Sequence, residues 1–101
     1  MLSVALEGPL FDAGMVVVTE GVLELQERYG LNIDVLLACH THGEWGDVTE
    51  DDWQANNRAL REGGRLVSIY LMPIFNGETA LWVITEANRS ATTVSLPGEF
   101  Y

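Results

Sequence analysis

Arg65–Met72 and Thr79–Glu86 are two runs rich in β-branched and aromatic residues, and Asn76-Gly77 lies between them. An Asn-Gly pair between alternating apolar runs is the strongest short-range signal for a β-hairpin, because both central residues of a tight hairpin turn need positive φ. A two-residue turn at that pair sets Leu71 opposite Trp82, Ile69 opposite Ile84 and Val67 opposite Glu86. Side chains alternate along a strand, so these residues share one face, with Arg65 diagonal to Glu86 at its rim. A Glu86–Arg65 pair is therefore expected, with the Trp82 side beneath the helices. The second face carries Leu66, Ser68, Tyr70, Met72, Leu81, Val83 and Thr85. It is too apolar for open water, so Leu66, Tyr70, Leu81 and Val83 form a candidate homodimer face, unless the N-terminal arm covers it. Pro73 has no N–H for a ladder and points to a bulge or a frayed end.

The rest of the chain reads as helices and short strands. Met15–Val18 suggests a strand, and Thr19 an N-cap for a helix with Val22, Leu25, Gln26 and Tyr29 on one face, ending at Gly30. Ile33, Leu36, Leu37 and His40 follow helical spacing in a second helix. Thr49-Glu50-Asp51-Asp52 matches a capping box opening a third, in which Trp53 and Leu60 form the inward stripe and Gly63-Gly64 the stop. Asn88-Arg89 reads as a second turn, leading into Ala91–Leu96. The fold class expected is α+β: a C-terminal three-stranded antiparallel meander plus an N-terminal strand, with about three helices on one face. Residues 1–14, with Gly8-Pro9 and Gly14, read as an irregular arm with a short strand at Leu2–Leu6, and 15–101 as one domain.

Charge narrows the choice of partner. Fifteen acids face five basic residues, all arginine (Arg28, Arg58, Arg61, Arg65, Arg89), for a net charge of −10. A direct nucleic-acid binder needs a cationic footprint, so free DNA or RNA is not expected, whereas a host protein with a basic surface is. No apolar run approaches the roughly 20 residues of a membrane span, and no basic region opens a signal peptide, so a cytoplasmic location is expected by default. The single Cys39 excludes an internal disulfide and a cysteine-rich zinc site, and it reads as a small buried residue.

Several polar residues stand where a plain core would not put them. Asn56 lies beside the stripe of the third helix and needs hydrogen-bond partners, either by tying the helix to the His40–Asp47 loop or by lining a ligand pocket. His40 closes the second helix on its inner face and is either a structural histidine or a general base. His40, His42, Glu44 and Asp47 have ligand-type spacing but sit on a glycine-bearing loop, so no metal is assigned, and no cofactor is. Arg89 is either a turn residue or a grip for a carboxylate or phosphate. The candidate polar cluster is thus His40, Asp47, Asn56, Arg65, Glu86 and Arg89. No phosphate loop, G-x-G-x-x-G or G-x-S-x-G sequence accompanies it.

From His40 onward the chain resembles a family of small proteins encoded on bacterial plasmids and integrated mobile elements, labelled plasmid-related protein. The likeness rests on His40, Gly43, Trp45-Gly46-Asp47, Asp52, Asn56, Leu60, Gly63, Arg65, Ser68 and Tyr70. It continues through Trp82-Val83-Ile84-Thr85-Glu86-Ala87, Arg89-Ser90-Ala91-Thr92-Thr93 and Leu96-Pro97 to the acid-aromatic ending. Asn88, Gly98 and His42 depart from the family pattern. The resemblance implies a mobile-element accessory gene and implies no reaction. The function expected is therefore protein binding, in the manner of an acidic anti-CRISPR or anti-restriction inhibitor. The alternative is a small enzyme or nucleotide- or anion-binding protein that uses the polar cluster.

Overall fold

The computed structural model describes residues 8–74 and 77–99. In chain order the elements are β1 (Met15–Val18), α1 (Glu20–Tyr29), α2 (Ile33–Thr41), α3 (Glu50–Glu62), β2 (Leu66–Ile74), β3 (Gly77–Thr85) and β4 (Ala91–Ser95). The class is α+β, with three helices and a four-stranded sheet of order β1-β4-β3-β2 among the described residues. The sheet is mixed, which corrects the antiparallel expectation. β2, β3 and β4 form the antiparallel meander, but β1 runs parallel to β4, with Met15 opposite Ala91 and Val18 opposite Val94. Parallel neighbours need a long crossover, and the helices together with β2 and β3 supply it. The strand proposed at Leu2–Leu6 lies outside the described residues.

The helix ends follow local chemistry, with one exception. Asn32 caps α2 by accepting the Val35 N–H, and Thr49 caps α3 by accepting the Asp52 N–H. Gly30 ends α1 at φ 69°, a left-handed conformation that favours glycine. Thr19 stands at the N-cap of α1, yet its hydroxyl donates outward, at 2.6 Å, to Glu99 Oε1. Glu99 Oε2 in turn accepts the Gly21 N–H at 2.8 Å. A carboxylate from the far end of the chain thus caps the first helix, and these hydrogen bonds hold its pKa below the usual value.

The hairpin register differs by two residues from the expected one. Leu66 pairs with Thr85, Ile69 with Trp82 and Ile74 with Gly77, and no bulge interrupts the ladder at Pro73. Asn76, half of the expected turn, lies outside the described residues, and Gly77 belongs to β3. A shift of two preserves which residues share a face. What reverses is the face the helices cover. Leu81 and Val83 are fully buried, in a core with Val22, Leu31, Ile33, Leu36 and Val94. Leu66 is also buried, against Trp45 and Ala59, and Tyr70 is half-buried at the rim. The proposed oligomer face of Leu66, Tyr70, Leu81 and Val83 is therefore the protomer's own interior. The Trp82 side is turned away from the helices: Met15, Val17 and Leu71 are exposed there, Val67, Ile69 and Trp82 are half-buried, and Ile84, Thr93 and Ser95 are buried.

α3 also departs from its expected stripe. Its buried residues are Asn56 and Ala59, with Leu60 half-buried, and Trp53 is exposed. Every residue from 50 to 55 is exposed, so the helix meets the sheet only through its C-terminal half.

Gly46 adopts φ +80°, and a Cβ there would collide with the Ile69 carbonyl oxygen, because the 45–47 loop pairs directly with β2. Gly30 has a similar φ but open space around it. Gly30→Ala is expected to cost about 1 kcal/mol for the left-handed backbone alone. Gly46→Ala should cost at least twice as much in urea unfolding, and equal losses would show that the loop is not held against the strand.

Candidate functional site

The candidate residues occupy three distinct places, beginning with the outer edge of β2. With β3 on one side only, alternate residues of β2 turn their backbone groups away from the sheet. At Val67 those groups meet the Asn56 side chain, which accepts the Val67 N–H at 3.0 Å and donates to its carbonyl at 2.8 Å. At Ile69 the N–H donates to the Trp45 carbonyl at 3.0 Å, and the carbonyl accepts from the Asp47 N–H at 2.6 Å. At Leu71 the N–H donates to Asp47 Oδ2 at 3.0 Å. Pro73, next in the alternation, has no N–H to satisfy. Asn56 and Asp47 are thus edge caps, and Asn56 ties α3 to the strand rather than to the His40–Asp47 loop.

The second place is the sheet's inner face, where His40 is fully buried at the end of α2. Its Nδ1 lies 2.5 Å from Ser68 Oγ and its Nε2 lies 2.8 Å from Thr85 Oγ1. Thr85 and Thr92 share a 2.6 Å hydroxyl contact, and Thr92 donates to the Ala13 carbonyl at 2.7 Å. The proton directions follow, because a hydroxyl has one hydrogen to donate. Thr92 spends its hydrogen on Ala13, so Thr85 donates to Thr92 and is left to accept from His40. The ring therefore carries its proton on Nε2, and Ser68 donates to the bare Nδ1. Phe11 and Trp45 meet the ring edge-on, with centroids at 5.2 and 5.6 Å. Burial, and secondarily the Arg89 charge, lower the His40 pKa to about 4. At neutral pH this is an uncharged imidazole with both nitrogens engaged, which leaves no lone pair for a substrate proton.

The third place is the end of the β3–β4 turn. Arg89 adopts φ 62°, a left-handed conformation uncommon for a side chain of its size. Its guanidinium donates to four carbonyls, those of Ala59, Gly64, Glu86 and Ala87. Ala59 lies in the last turn of α3, so the cation also stands at that helix's negative end. The Cζ sits 5.8 Å from the Phe11 ring centroid. The predicted Arg65–Glu86 pair is present at 3.8 Å, directly across rather than diagonal because of the register shift. At 48% and 35% side-chain exposure it contributes at most about 1 kcal/mol.

The fold therefore links His40 to Arg89 through Phe11, and Arg65 to Glu86, but it does not gather all six residues on one opening. No pocket opens among the described residues. Of the four residues with ligand-type spacing, His40 has both nitrogens engaged, His42 donates from Nδ1 to the Ala38 carbonyl at 2.6 Å, and Asp47 accepts from Leu71. No group of three or more His, Cys, Asp or Glu side chains able to hold a metal occurs among the described residues. Cys39 is half-buried rather than enclosed. Sequence reasoning missed Phe11, Trp45, Ser68, Thr85, Thr92 and Glu99 as members of these networks. A usable signal was present for two of them: Ser68 and Thr85 share a strand face on either count of the register.

A scan against protein-family models found no match, and searches of curated proteins and of solved structures returned none either.

Asn56→Ala strips the partners from two backbone groups of Val67 and is expected to cost about 2–4 kcal/mol in urea unfolding; a loss under 1 kcal/mol would remove its role as an edge cap. In 15N NMR of the imidazole, His40 should show the neutral Nε2–H tautomer and stay neutral down to about pH 4. The folded value lies below the ordinary 6.5, so the unfolded chain binds the proton first, and this group's stabilisation is lost as pH falls from about 6.5 toward 4. A ring already charged at pH 5.5 would overturn the sealed network.

Proposed function

We propose that this chain is a mobile-element accessory protein that acts in the host cytoplasm by binding a protein with a basic surface. The form of that activity we favour is anti-defence inhibition, of the anti-CRISPR or anti-restriction kind. The observation that carries the reading is the division between interior and exterior. Apart from His42 Nε2, which is buried without a partner, the polar side chains of the interior are spent on one another and on backbone, while the exterior is acidic. Every described acidic side chain except Glu86 is exposed, in a chain of net charge −10. A surface of this sign attracts cationic proteins over a distance of about a Debye length and repels nucleic acid. Occupying a basic nucleic-acid channel needs charge and shape but no catalytic group. The mobile-element setting comes from the plasmid-related resemblance. No helix among the described residues is long and apolar enough to cross a membrane, which is compatible with the cytoplasmic setting.

The small-enzyme or nucleotide-binding alternative needs His40, Asp47, Asn56, Arg65, Glu86 and Arg89 to converge on an open site. They are instead divided among a strand edge, a sealed face and a turn.

The test is a phage-plating assay on hosts carrying a restriction or CRISPR system. Expression of the chain should raise plating efficiency by tenfold or more on at least one such host. The purified chain should inhibit the corresponding nuclease at 50 mM salt and much less at 500 mM. Unchanged plating on all such hosts, with no salt-sensitive inhibition, overturns the proposal.

A further inference from the structure

The two edges of the sheet are finished differently. β2 is closed by Asn56, the Trp45–Asp47 backbone, the Asp47 carboxylate and Pro73. β1, at the opposite edge, has no such closure among the described residues. Met15 N–H donates to the Ser90 carbonyl and Thr19 N–H to the Val94 carbonyl, both at 3.0 Å. The alternation then turns the backbone groups of Val16 and Val18 away from β4, and no described hydrogen bond receives them. Met15 is 67% exposed, and Val16 and Val17, on opposite faces, are each 42% exposed. Proteins blunt such edges with charges, proline, bulges or shortness, and Met15–Val18 has only the last of these within the strand itself. Asp12 and Glu20, both exposed, flank the strand, and no arginine lies between them.

We propose that the outer edge of β1 is a docking strand for an extended, cationic segment of the partner protein, which adds to the sheet as a fifth strand. The inference rests on the protein-binding reading and assigns it a surface. Main-chain hydrogen bonds to Val16 and Val18 hold the segment. Its alternate apolar side chains lie over Met15 and Val17, and its basic residues meet Asp12 and Glu20. Charge selects this occupant over a second copy of the chain, which would bring the same flanking acids and a further net charge of −10 against the first.

The probe is a fluorescein-labelled peptide of alternating valine and threonine between terminal arginine pairs. The control is the same peptide with its central backbone nitrogens methylated, which keeps the charge and removes the strand donors. The unmethylated peptide should bind at least tenfold tighter, and the amides of Val16 and Val18 should shift and exchange more slowly on binding. Val16→Pro deletes an outward N–H that makes no ladder bond, and it should lower affinity tenfold or more with an unchanged far-UV circular dichroism spectrum. If that variant unfolds, the amide shifts of the parent chain decide. Equal, salt-sensitive binding of both peptides, or shifts centred away from β1, overturns the edge assignment and leaves the electrostatic reading standing. Dimerisation abolished by Val16→Pro assigns the edge to a second copy and also overturns it. Failure of both peptides to bind at low salt, together with unchanged phage plating, defeats the protein-binding reading itself.

Discussion

A single buried imidazole lets this sheet turn a partly polar face inward. Ser68, Thr85 and Thr92 are all fully buried on the inner face, and each unpaired hydroxyl there would cost about 1–3 kcal/mol. His40 and the Ala13 carbonyl complete a chain in which every hydrogen has one destination, and that removes the cost. The arrangement needs His40 in the last turn of α2, so that its ring reaches over β2 and β3, and it needs the arm to pass Ala13 beside β4. Leu81, Val83 and Val94 can then form the core with α1 and α2, leaving Trp82 on the other side.

The same principle governs the edges and ends. A strand edge needs donors and acceptors as much as a buried ring does, and β2 finds them in one amide side chain, one short loop and one carboxylate. Arg89 performs the equivalent service where α3 ends, gathering carbonyls from the helix terminus and the β3–β4 turn. Glu99 does so where α1 begins. Of the candidate polar cluster, Asn56, Asp47 and Arg89 are accounted for by backbone groups and His40 by the hydroxyls of Ser68 and Thr85, which leaves the exposed Arg65–Glu86 pair.

The secondary structure was largely legible in the sequence. The Thr49 cap, the glycine stop after Tyr29 and the 3.6-residue spacing of Ile33, Leu36, Leu37 and His40 act over a single turn of chain and appear in the fold, whereas the hydroxyl of Thr19 does not cap its helix. The Arg65–Glu86 pair was legible too, since it needs only a hairpin of roughly the right register. The polar cluster as a unit was not. Asn56 and Asp47 look alike in sequence to pocket residues, and only the position of β2 at the sheet edge shows which backbone groups they serve. Trp53 was mistaken for core and Trp45 overlooked, because hydrophobic spacing does not reveal how far a helix projects beyond the sheet it packs on.

The amino-acid sequence by itself determined where the helices and strands form, which residues share a strand face, and the acidic character of the exterior. These depend on neighbours within a few positions or on simple composition. Tertiary structure alone decided that β1 joins β4 in parallel, that the helices cover the face bearing Ser68, Thr85 and Thr92, and that among the described residues the β2 edge is closed while the β1 edge is not. Such choices turn on whether polar groups from distant segments meet at hydrogen-bonding distance, and no local pattern records that.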